Sequence, residues 1–331
     1  GPYSIWLRTL EDGVGLLLAA LMGIWAADSF AYLVGVRFGR HKMAPRLSPK
    51  KSWEGYAGGV VGAVLFTALW ALGWQQWANP STLLTPARGA LLGVAIGDAM
   101  GAPVEGRSSE EIQAEYGRIT GFLSDEAVGT DDTDFTLFNA NLIISHGTGI
   151  TLAQVETAWR SALLSGQWYY RPGGFSDVIS TRNLTAGLHA PATGAFNHQM
   201  WSDGVAMASS SAGVAAAGDP ALAARLAQTI GAVSNGRDGI YAAQAVAAAI
   251  AVGAMGASPD AMLAAAIAAA PPDSWTWRAL TRLERLSSGF GADQDVNLAL
   301  VGEELTVAWW PWADLVTEAV PLAFGAFLAC R

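Results

Sequence analysis

The stretch that decides the reading of this chain is Thr130-Asp-Asp-Thr-Asp-Phe-Thr-Leu137. It places three carboxylates (Asp131, Asp132 and Asp134) and two hydroxyls within five consecutive positions. Neighbouring carboxylates repel one another, and a hard divalent cation such as Mg²⁺ or Mn²⁺ would turn that repulsion into binding because it prefers oxygen ligands. We therefore predict a divalent-metal site in this segment. The alternative is an acidic start to a solvated helix, which Thr130 or Asp131 could cap.

A second informative segment lies upstream, at residues 89–106, Gly-Ala-Leu-Leu-Gly-Val-Ala-Ile-Gly-Asp-Ala-Met-Gly-Ala-Pro-Val-Glu-Gly. Its glycines recur every four positions from Gly89 to Gly101, so they share one face of a predicted helix and permit close helix packing. Asp98 lies within this apolar helix, and Glu105 lies in the loop that leaves it.

Together the two segments resemble the ADP-ribosylglycohydrolase family. The family pattern has Gly-Asp, a Gly three residues later, a Glu four residues beyond that and a Thr-Asp-Asp-Thr segment further along the chain. Gly97-Asp98, Gly101, Glu105 and the segment 130–133 fit this pattern. Weaker similarities at 201–207, 217–227, 233–246 and 318–327 extend the resemblance over about residues 86–331.

The resemblance implies an all-α domain that hydrolyses a glycosidic bond to ADP-ribose with the help of divalent metal. It assigns metal binding to Thr130, Asp131 and Asp132, and catalysis to Asp131 and Asp132 with Glu105 assisting proton transfer. Intact members of the family hold two ions, Mg²⁺ or Mn²⁺. This chain could bind two such ions, one or none.

The same resemblance implies a substrate-binding segment at Ser202, Asp203 and Gly204, which could present polar groups to ribose or phosphate. The expected partners are free ADP-ribose or an ADP-ribosylated protein, with Arg, Ser or a small molecule as the acceptor.

Two departures from the family pattern leave a second hypothesis open. Ala208 stands where the family usually has Arg, and the late Asp-x-Asp-Thr motif that completes the metal site is not found after the helix-like segment 318–327. The candidate replacement Asp293-Gln-Asp295-Val lies before that segment and lacks the final hydroxyl. We therefore expect a C-terminally truncated domain, and the alternative function is a catalytically inactive, membrane-tethered module that binds ADP-ribose.

The first eighty residues have a different character. Residues 1–85 carry seven Lys/Arg against four Asp/Glu, a net +3, whereas residues 86–331 carry twelve against twenty-four, a net −12. Residues 14–38 and 56–77 are mostly apolar, and each approaches the roughly 20 residues that cross a bilayer. This pattern predicts a membrane helical hairpin in residues 1–78, a linker at 79–86 and the glycohydrolase-like domain at 87–331.

This N-terminal part resembles the middle of the phosphatidate cytidylyltransferase (CDP-diacylglycerol synthase) family. The matching residues are Trp25-Ala-Ala-Asp-Ser-Phe-Ala-Tyr32 and Ser48-Pro-Lys-Lys-Ser-Trp-Glu-Gly55. The family's C-terminal signature is missing from the sequence, so we interpret residues 1–78 as an anchor, with a CTP-dependent cytidylyltransferase fragment as a further alternative.

Charge and topology constrain location and partners. The basic loop between the apolar spans predicts a cytoplasmic loop, which would place residues 87–331 on the opposite side, although the resembled glycohydrolases are cytoplasmic. If residues 1–78 are native, the protein is expected to be membrane-associated. The net charge of −9 argues against nucleic-acid binding, and the single Cys330 excludes an intrachain disulfide.

Overall fold

The structure, a computed structural model, describes residues 80–164, 175–306 and 315–330, together with scattered positions between Ala31 and Ala57. The chain divides into two compact units, Gly1–Leu84 and Thr85–Arg331.

The described part of the first unit contains two short antiparallel strands, β1 (Lys42–Ala44) and β2 (Ser48–Ser52). They lie in the basic segment for which we expected only a loop between helices. The predicted apolar spans 14–38 and 56–77 fall largely outside the described residues. Across the part of the chain that the structure describes, no helix combines the length and apolar character needed to cross a membrane.

From residue 80 onward the described chain is helical, which confirms the predicted all-α domain apart from one isolated bridge between Ser202 and Leu315. The helices are α1 (Pro80–Gly101), α2 (Ser109–Tyr116), α3 (Asp131–His146), α4 (Leu152–Trp159), α5 (Phe175–Thr185), α6 (Ala192–Ala195), α7 (Ser210–Ala215), α8 (Pro220–Gly231), α9 (Asp238–Gly253), α10 (Pro259–Ala269), α11 (Trp275–Ser287), α12 (Gln294–Leu305) and α13 (Val316–Ala329). Short 3₁₀ turns at Ala102–Val104, Asp203–Val205 and Met207–Ser209 join some of them, and a π-helical turn at Arg160–Leu164 follows α4.

The predicted linker at 79–86 is not a turn-rich joint. The structure places residues 80–86 in the first two turns of α1, which begins at Pro80 and has Pro86 inside it. Proline is favoured at the first helical position because its missing N–H would have no intrahelical partner there. The division between the two compact units, at Leu84 and Thr85, falls within this segment, but its residues from Pro80 onward start a helix and do not form a loop.

Helix α9 is the centre of the second unit. Seven of its alanines are at most 1% exposed. Alanine has the highest helix propensity and no bulk beyond Cβ, so neighbouring helices can approach α9 from all sides. The alanines on one side of α9 join a core cluster with α3, α4 and α8, and those on the other side join a cluster with α11, α12 and α13.

The first of these clusters positions the start of α3. Phe135 stacks on Trp159 at the end of α4, with ring centroids 5.6 Å apart and 28° between their planes. Phe138, one turn later, meets the same indole edge-on at 6.4 Å. Stacked and edge-on aromatic pairs add about 0.5–1.5 kcal/mol to the burial of their apolar surface. The aspartate run is thus carried on a helix whose next turn is fixed in the core.

The packing of α8 into this core can be tested at Leu226, which is 2% exposed. Leu226→Ala is expected to lower the free energy of unfolding by about 2–5 kcal/mol, because it removes buried apolar contacts and leaves a cavity. Chemical denaturation of the full chain measures the change. Leu92→Ala is the matched control, since Leu92 is 60% exposed and its loss should cost less than about 0.5 kcal/mol. Equal losses in the two variants would contradict the described packing of α8.

Candidate functional site

The carboxylate of Asp98, near the end of α1, binds the N-terminus of α3. It accepts hydrogen bonds from the backbone N–H of Thr130 (2.7 Å) and of Thr133 (3.1 Å), and from their Oγ1 hydroxyls at 2.7 and 2.5 Å. Thr130 makes no side-chain cap of its own. Thr130 does occupy the N-cap position, as we expected, but Asp98 takes the place of its side chain by accepting from the N–H of Thr133 in the first turn.

Gly129 leaves room for this arrangement. A Cβ at this position would lie 2.9 Å from Oδ2 of Asp98 and 2.6 Å from Oγ1 of Thr133. Any side chain here would force the capping carboxylate away from the helix. The glycine in front of the aspartate run is thus required by a contact that spans more than thirty residues of sequence, from Asp98 to Thr130.

Beside this contact lies a cavity of about 730 Å³. Carboxylates from α1, α3, α5 and the loops between them line it, while its described lining contains no Lys, Arg or His. The carboxylates are Asp98, Glu105, Asp131, Asp132, Asp134, Asp177 and Asp203. The like charges of Glu105, Asp131, Asp132 and Asp134 around one space, with no cationic side chain among the described lining residues, favour a cationic ligand.

Burial and mutual repulsion raise the pKa values of three of these carboxylates. Burial, followed by the charges of Asp98 and Asp131, raises the pKa of Asp132 from 3.8 to about 6. Burial and the same two charges raise the pKa of Glu105, and burial with Asp131 and Asp98 raises that of Asp134. Each shift marks a carboxylate whose ionised form is unfavourable in the absence of a compensating cation.

All seven residues that the sequence singled out line this one cavity: Glu105, Thr130, Asp131, Asp132, Ser202, Asp203 and Gly204. The structure therefore brings them together, although their individual roles stay predictions. These residues come from two distant parts of the sequence. The first group lies between the end of α1 and the first turn of α3, and the second group lies at Ser202 and in the 3₁₀ turn that follows it.

The segment around Ser202 is held in place by backbone contacts. The side-chain amide of Asn235 donates to the carbonyl of Ser202 at 2.9 Å, and the N–H of Val316, at the start of α13, donates to the carbonyl of Trp201 at 3.2 Å. Gly204 faces Ser176, whose Oγ would lie 2.8 Å from an added Cβ. The Ser202–Gly204 segment, which forms this wall of the cavity, therefore packs closely against α5, and the residue before it is hydrogen-bonded to the start of α13.

The proposed ligand residues do not form a complete metal centre by themselves. Nowhere in the described ranges do three or more His, Cys, Asp or Glu side chains group closely enough to hold an ion. Asp293 and Asp295 do not supply the rest, because Asp293 caps α12 and Asp295 pairs with Arg118 at 2.9 Å around a separate surface pocket. The donor chemistry, hard oxygens from Thr130, Asp131 and Asp132, nevertheless suits Mg²⁺ or Mn²⁺.

Comparison with known proteins agrees with this geometry. Residues 79–331 match the family model described as ADP-ribosylglycohydrolase, which covers most of the chain. The chain belongs to the ADP-ribosylglycohydrolase family.

The N-terminal residues of the chain match a second model, the Cytidylyltransferase family, over residues 3–101. The chain is 38% identical to the phosphatidate cytidylyltransferase of Mycobacterium bovis over 104 residues, which are 29% of this chain and 31% of that protein. It is 47% identical to the Thermotoga maritima phosphatidate cytidylyltransferase over 70 residues, 21% of this chain and 26% of that protein. The chain thus spans about a third or less of the curated relatives it matches. No solved structure matches the chain.

Several lining residues of the glycohydrolase cavity were missed by sequence reasoning. Asn139 follows Asp132 by seven residues on α3, so helical spacing alone could have placed it on the same face. No sequence pattern placed Ser176 and Ser234 in the cavity, because the buried side-chain amide of Asn197 brings them together. Asn197 donates to the carbonyls of Ser176 (2.7 Å) and Ser234 (2.8 Å).

The role of Asp98 in this family member can be tested by Asp98→Ala. The substitution removes the acceptor for four hydrogen bonds at the start of α3 and is expected to lower the free energy of unfolding by about 2–4 kcal/mol. Denaturant unfolding measures the loss, with Asp125→Asn, an exposed carboxylate outside the cavity, as the control. An Asp98→Ala protein as stable as this control would refute the capping contact.

Because the pKa of Asp132 is raised in the folded protein, replacing this residue by an uncharged one is expected to stabilise the protein in a pH-dependent way. Between pH 3.8 and about 6 the folded state binds more protons at Asp132 than the unfolded state does, so its contribution to stability falls as pH rises through this window. In metal-free buffer at about pH 7, Asp132→Asn is expected to raise the free energy of unfolding by about 2–3 kcal/mol.

Below about pH 4 the same substitution should have little effect, because Asp132 is then protonated in both states. Thermal unfolding at both pH values in the presence of a chelator measures the difference. A gain that is the same at both pH values would show that repulsion among the cavity carboxylates is not its cause.

Proposed function

We propose that residues 87–331 catalyse the metal-dependent hydrolysis of a glycosidic bond to ADP-ribose, releasing it from a modified protein side chain or a small acceptor. One observation carries the proposal: in a chain of this family, residues 130–132, Glu105 and the Ser202–Gly204 segment line a single acidic cavity. Its volume of about 730 Å³ lies within the roughly 300–1,000 Å³ that small-molecule sites occupy.

Thr130, Asp131 and Asp132 would hold the divalent cation. When bound, that ion would supply Lewis-acid polarisation of the ribose oxygens and a water of lowered pKa. The hydroxyl of Thr130 donates its proton to Asp98 at 2.7 Å, so its oxygen lone pairs stay directed elsewhere. The hydrogen bonds to Asp98 thus fix the orientation of the first turn that carries the two aspartates.

Glu105 is suited to proton transfer. Burial and the charges of Asp131 and Asp98 raise the pKa of its carboxyl group, which brings it closer to neutral pH, where a general acid or base works best. It stands at the loop that leaves the 3₁₀ turn after α1, at the more exposed side of the cavity. In this role its carboxylate oxygen would take a proton from the attacking water or return one to the leaving group.

Ser202, Asp203 and Gly204 would bind the sugar part of the substrate. A serine hydroxyl can donate to and accept from ribose hydroxyls, whereas a carboxylate accepts from them. The absence of a side chain at Gly204 lets the substrate approach the backbone. The hydrogen bond from Asn235 to the Ser202 carbonyl keeps this wall fixed, which lowers the entropy lost on binding.

A second function, binding of ADP-ribose without hydrolysis, is favoured by one specific observation. No three potential metal-ligating side chains are grouped together within the ranges that the structure describes. A cavity of the same shape could then hold ADP-ribose through Ser202, Asp203 and Gly204 alone. A cytidylyltransferase role for residues 1–78 stays a prediction from sequence similarity.

The metal assignment is tested by titrating the full chain with Mg²⁺ and with Mn²⁺ in a calorimeter, with and without ADP-ribose. Asp131→Asn and Asp132→Asn are expected to abolish stoichiometric binding, because an amide oxygen is a much weaker ligand than a carboxylate for hard cations. Asp125→Asn, the exposed control, should bind as the unaltered protein does.

The activity is tested by release of ADP-ribose from an ADP-ribosylated arginine peptide. Hydrolysis that is lost on chelation, restored by Mg²⁺ or Mn²⁺ and reduced at least about a hundredfold in Asp131→Asn would support the enzyme. Tight binding of ADP-ribose without any release under these conditions would select the binding module. Stoichiometric metal binding retained in either aspartate variant would refute the metal assignment.

A further inference from the structure

Two serines from distant segments meet in the wall of the cavity. Ser176 lies in the first turn of α5, and Ser202 lies just before the 3₁₀ turn Asp203–Val205. Each serine is followed by an aspartate that lines the same cavity, so the dipeptide Ser-Asp reaches the site twice. The proposed function uses Ser202 and gives Ser176 no role.

A buried side-chain amide holds the backbone of each serine. Nδ2 of Asn197 donates to the carbonyl of Ser176 at 2.7 Å, and Nδ2 of Asn235 donates to the carbonyl of Ser202 at 2.9 Å. Both asparagines are at most 2% exposed. Because the backbone of each serine is fixed in this way, its side chain starts from a set position before a ligand arrives, which reduces the entropy lost on binding.

The hydroxyl groups of the two serines remain available to a ligand. Among the residues that the structure describes, neither Oγ has a hydrogen-bond partner. Hydroxyls that lack a partner and are closed off inside the core do occur, for example at Thr181 and Ser210, but Ser176 and Ser202 are not among them. Ser176 is 3% exposed and Ser202 is 2% exposed, and both line the cavity. The small surface that they retain therefore faces the cavity.

The missing side chain of Gly204 brings the two hydroxyls together. A Cβ at this position would lie 2.8 Å from Oγ of Ser176 and 3.8 Å from Oγ of Ser202. Both oxygens thus lie within 4 Å of one point, close enough for a single sugar ring to contact both.

The chemistry of this pair favours a sugar hydroxyl over a charged group. A hydroxyl both donates and accepts, so two serines and a sugar can pair in either direction. A phosphate would lie beside the carboxylates of Asp177 and Asp203, which is unfavourable between like charges. A divalent cation has stronger ligands in the carboxylates at the start of α3 than in neutral hydroxyls.

We propose that Ser176 is a further substrate-binding residue, whose hydroxyl hydrogen-bonds, together with that of Ser202, to the terminal ribose of an ADP-ribosyl substrate. This inference rests on the proposed function, which supplies the ribose. The terminal ribose is the one whose glycosidic bond is broken, so it must lie in the cavity that Glu105 and the aspartates of α3 also line. Gly204 contributes by leaving room for Oγ of Ser176 beside Ser202.

The experiment measures ADP-ribose binding to the full chain by calorimetry in the presence of Mg²⁺, and unfolding of the ligand-free protein in denaturant. Ser176→Ala is expected to weaken ADP-ribose binding about three- to tenfold, as for the loss of one uncharged hydrogen bond. Its stability should not fall, because the hydroxyl that it removes has no partner in the described fold.

Ser210→Ala is the matched control. The hydroxyl of Ser210 is also buried without a partner, but Ser210 is not one of the described residues that line the cavity. This variant should bind ADP-ribose within about twofold of the unaltered protein. If Ser176→Ala does not fold, Ser176→Cys replaces it and should show the same loss, because a thiol of similar size is a weaker hydrogen-bonding group.

ADP, which lacks the terminal ribose, locates the contact. Ser176→Ala should change ADP affinity by less than about twofold. No binding of ADP to the unaltered protein would also support the proposal, because binding would then depend on the terminal ribose. Equal losses for ADP and ADP-ribose would place Ser176 against another part of the ligand and overturn the proposal. Loss of Mg²⁺ binding in Ser176→Ala would assign the hydroxyl to the metal, with the same consequence.

The unaltered protein separates this inference from the function beneath it. If it does not bind ADP-ribose, the proposed function fails and the role of Ser176 fails with it. If it binds ADP-ribose and Ser176→Ala binds equally well, only the role of Ser176 is overturned. Affinity and stability that fall together in Ser176→Ala would show a structural role for the hydroxyl and would also overturn the proposal.

Discussion

The contact between Asp98 and the first turn of α3 is the constraint on which the site depends. One carboxylate receives four hydrogen bonds from Thr130 and Thr133, and charge-assisted bonds of this kind are among the stronger ones in proteins. These hydrogen bonds fix the end of α1 against the helix that carries Asp131 and Asp132. The same carboxylate adds its negative charge to theirs and raises the pKa of Asp132. The contact that assembles the site therefore also makes the site unfavourable while no cation is bound, as is usual where function and stability compete.

The second constraint is the close approach of helices in the core. Gly231 at the end of α8 meets Val205, so that an added Cβ would lie 2.5 Å from Val205 Cγ1. Gly213 in α7 meets Ile250 of α9 in the same way, at 2.6 Å. These contacts leave no space for displacement of the turn that precedes Ala208. A methyl group added at Gly231 would therefore press directly on Val205, which lines the cavity.

The sequence predicted the site better than it predicted how the site is supported. The aspartate run, Glu105 and the Ser202 segment were identified because their spacing follows a family pattern, and the structure brings them to one cavity. The cap of α3 was missed because its acceptor, Asp98, lies in another helix, and local capping rules consider only residues next to the helix start. The amides of Asn197 and Asn235 were missed for a related reason. Each is buried and bonds to carbonyls from distant segments, and no local pattern reports such tertiary contacts. The predicted boundary at 79–86 contains the division between the two compact units at Leu84 and Thr85, but its turn-rich conformation was not found, because prolines that mark turns also mark the first turn of a helix.

The arrangement of donors suggests how metal and substrate would depend on each other. Both oxygens of Asp98 already accept hydrogen bonds, so Thr130, Asp131 and Asp132 supply only part of the six oxygen ligands that Mg²⁺ prefers. Water or the hydroxyls of a bound ribose would have to complete the set. Shared ligands of this kind couple the two binding equilibria, and linkage requires that ADP-ribose strengthen metal binding by the same factor by which metal strengthens the binding of ADP-ribose. The incomplete grouping of side chains is then compatible with a hydrolase whose metal centre forms only around its substrate. In a module that only binds ADP-ribose, through Ser202, Asp203 and Gly204 alone, no such coupling would arise.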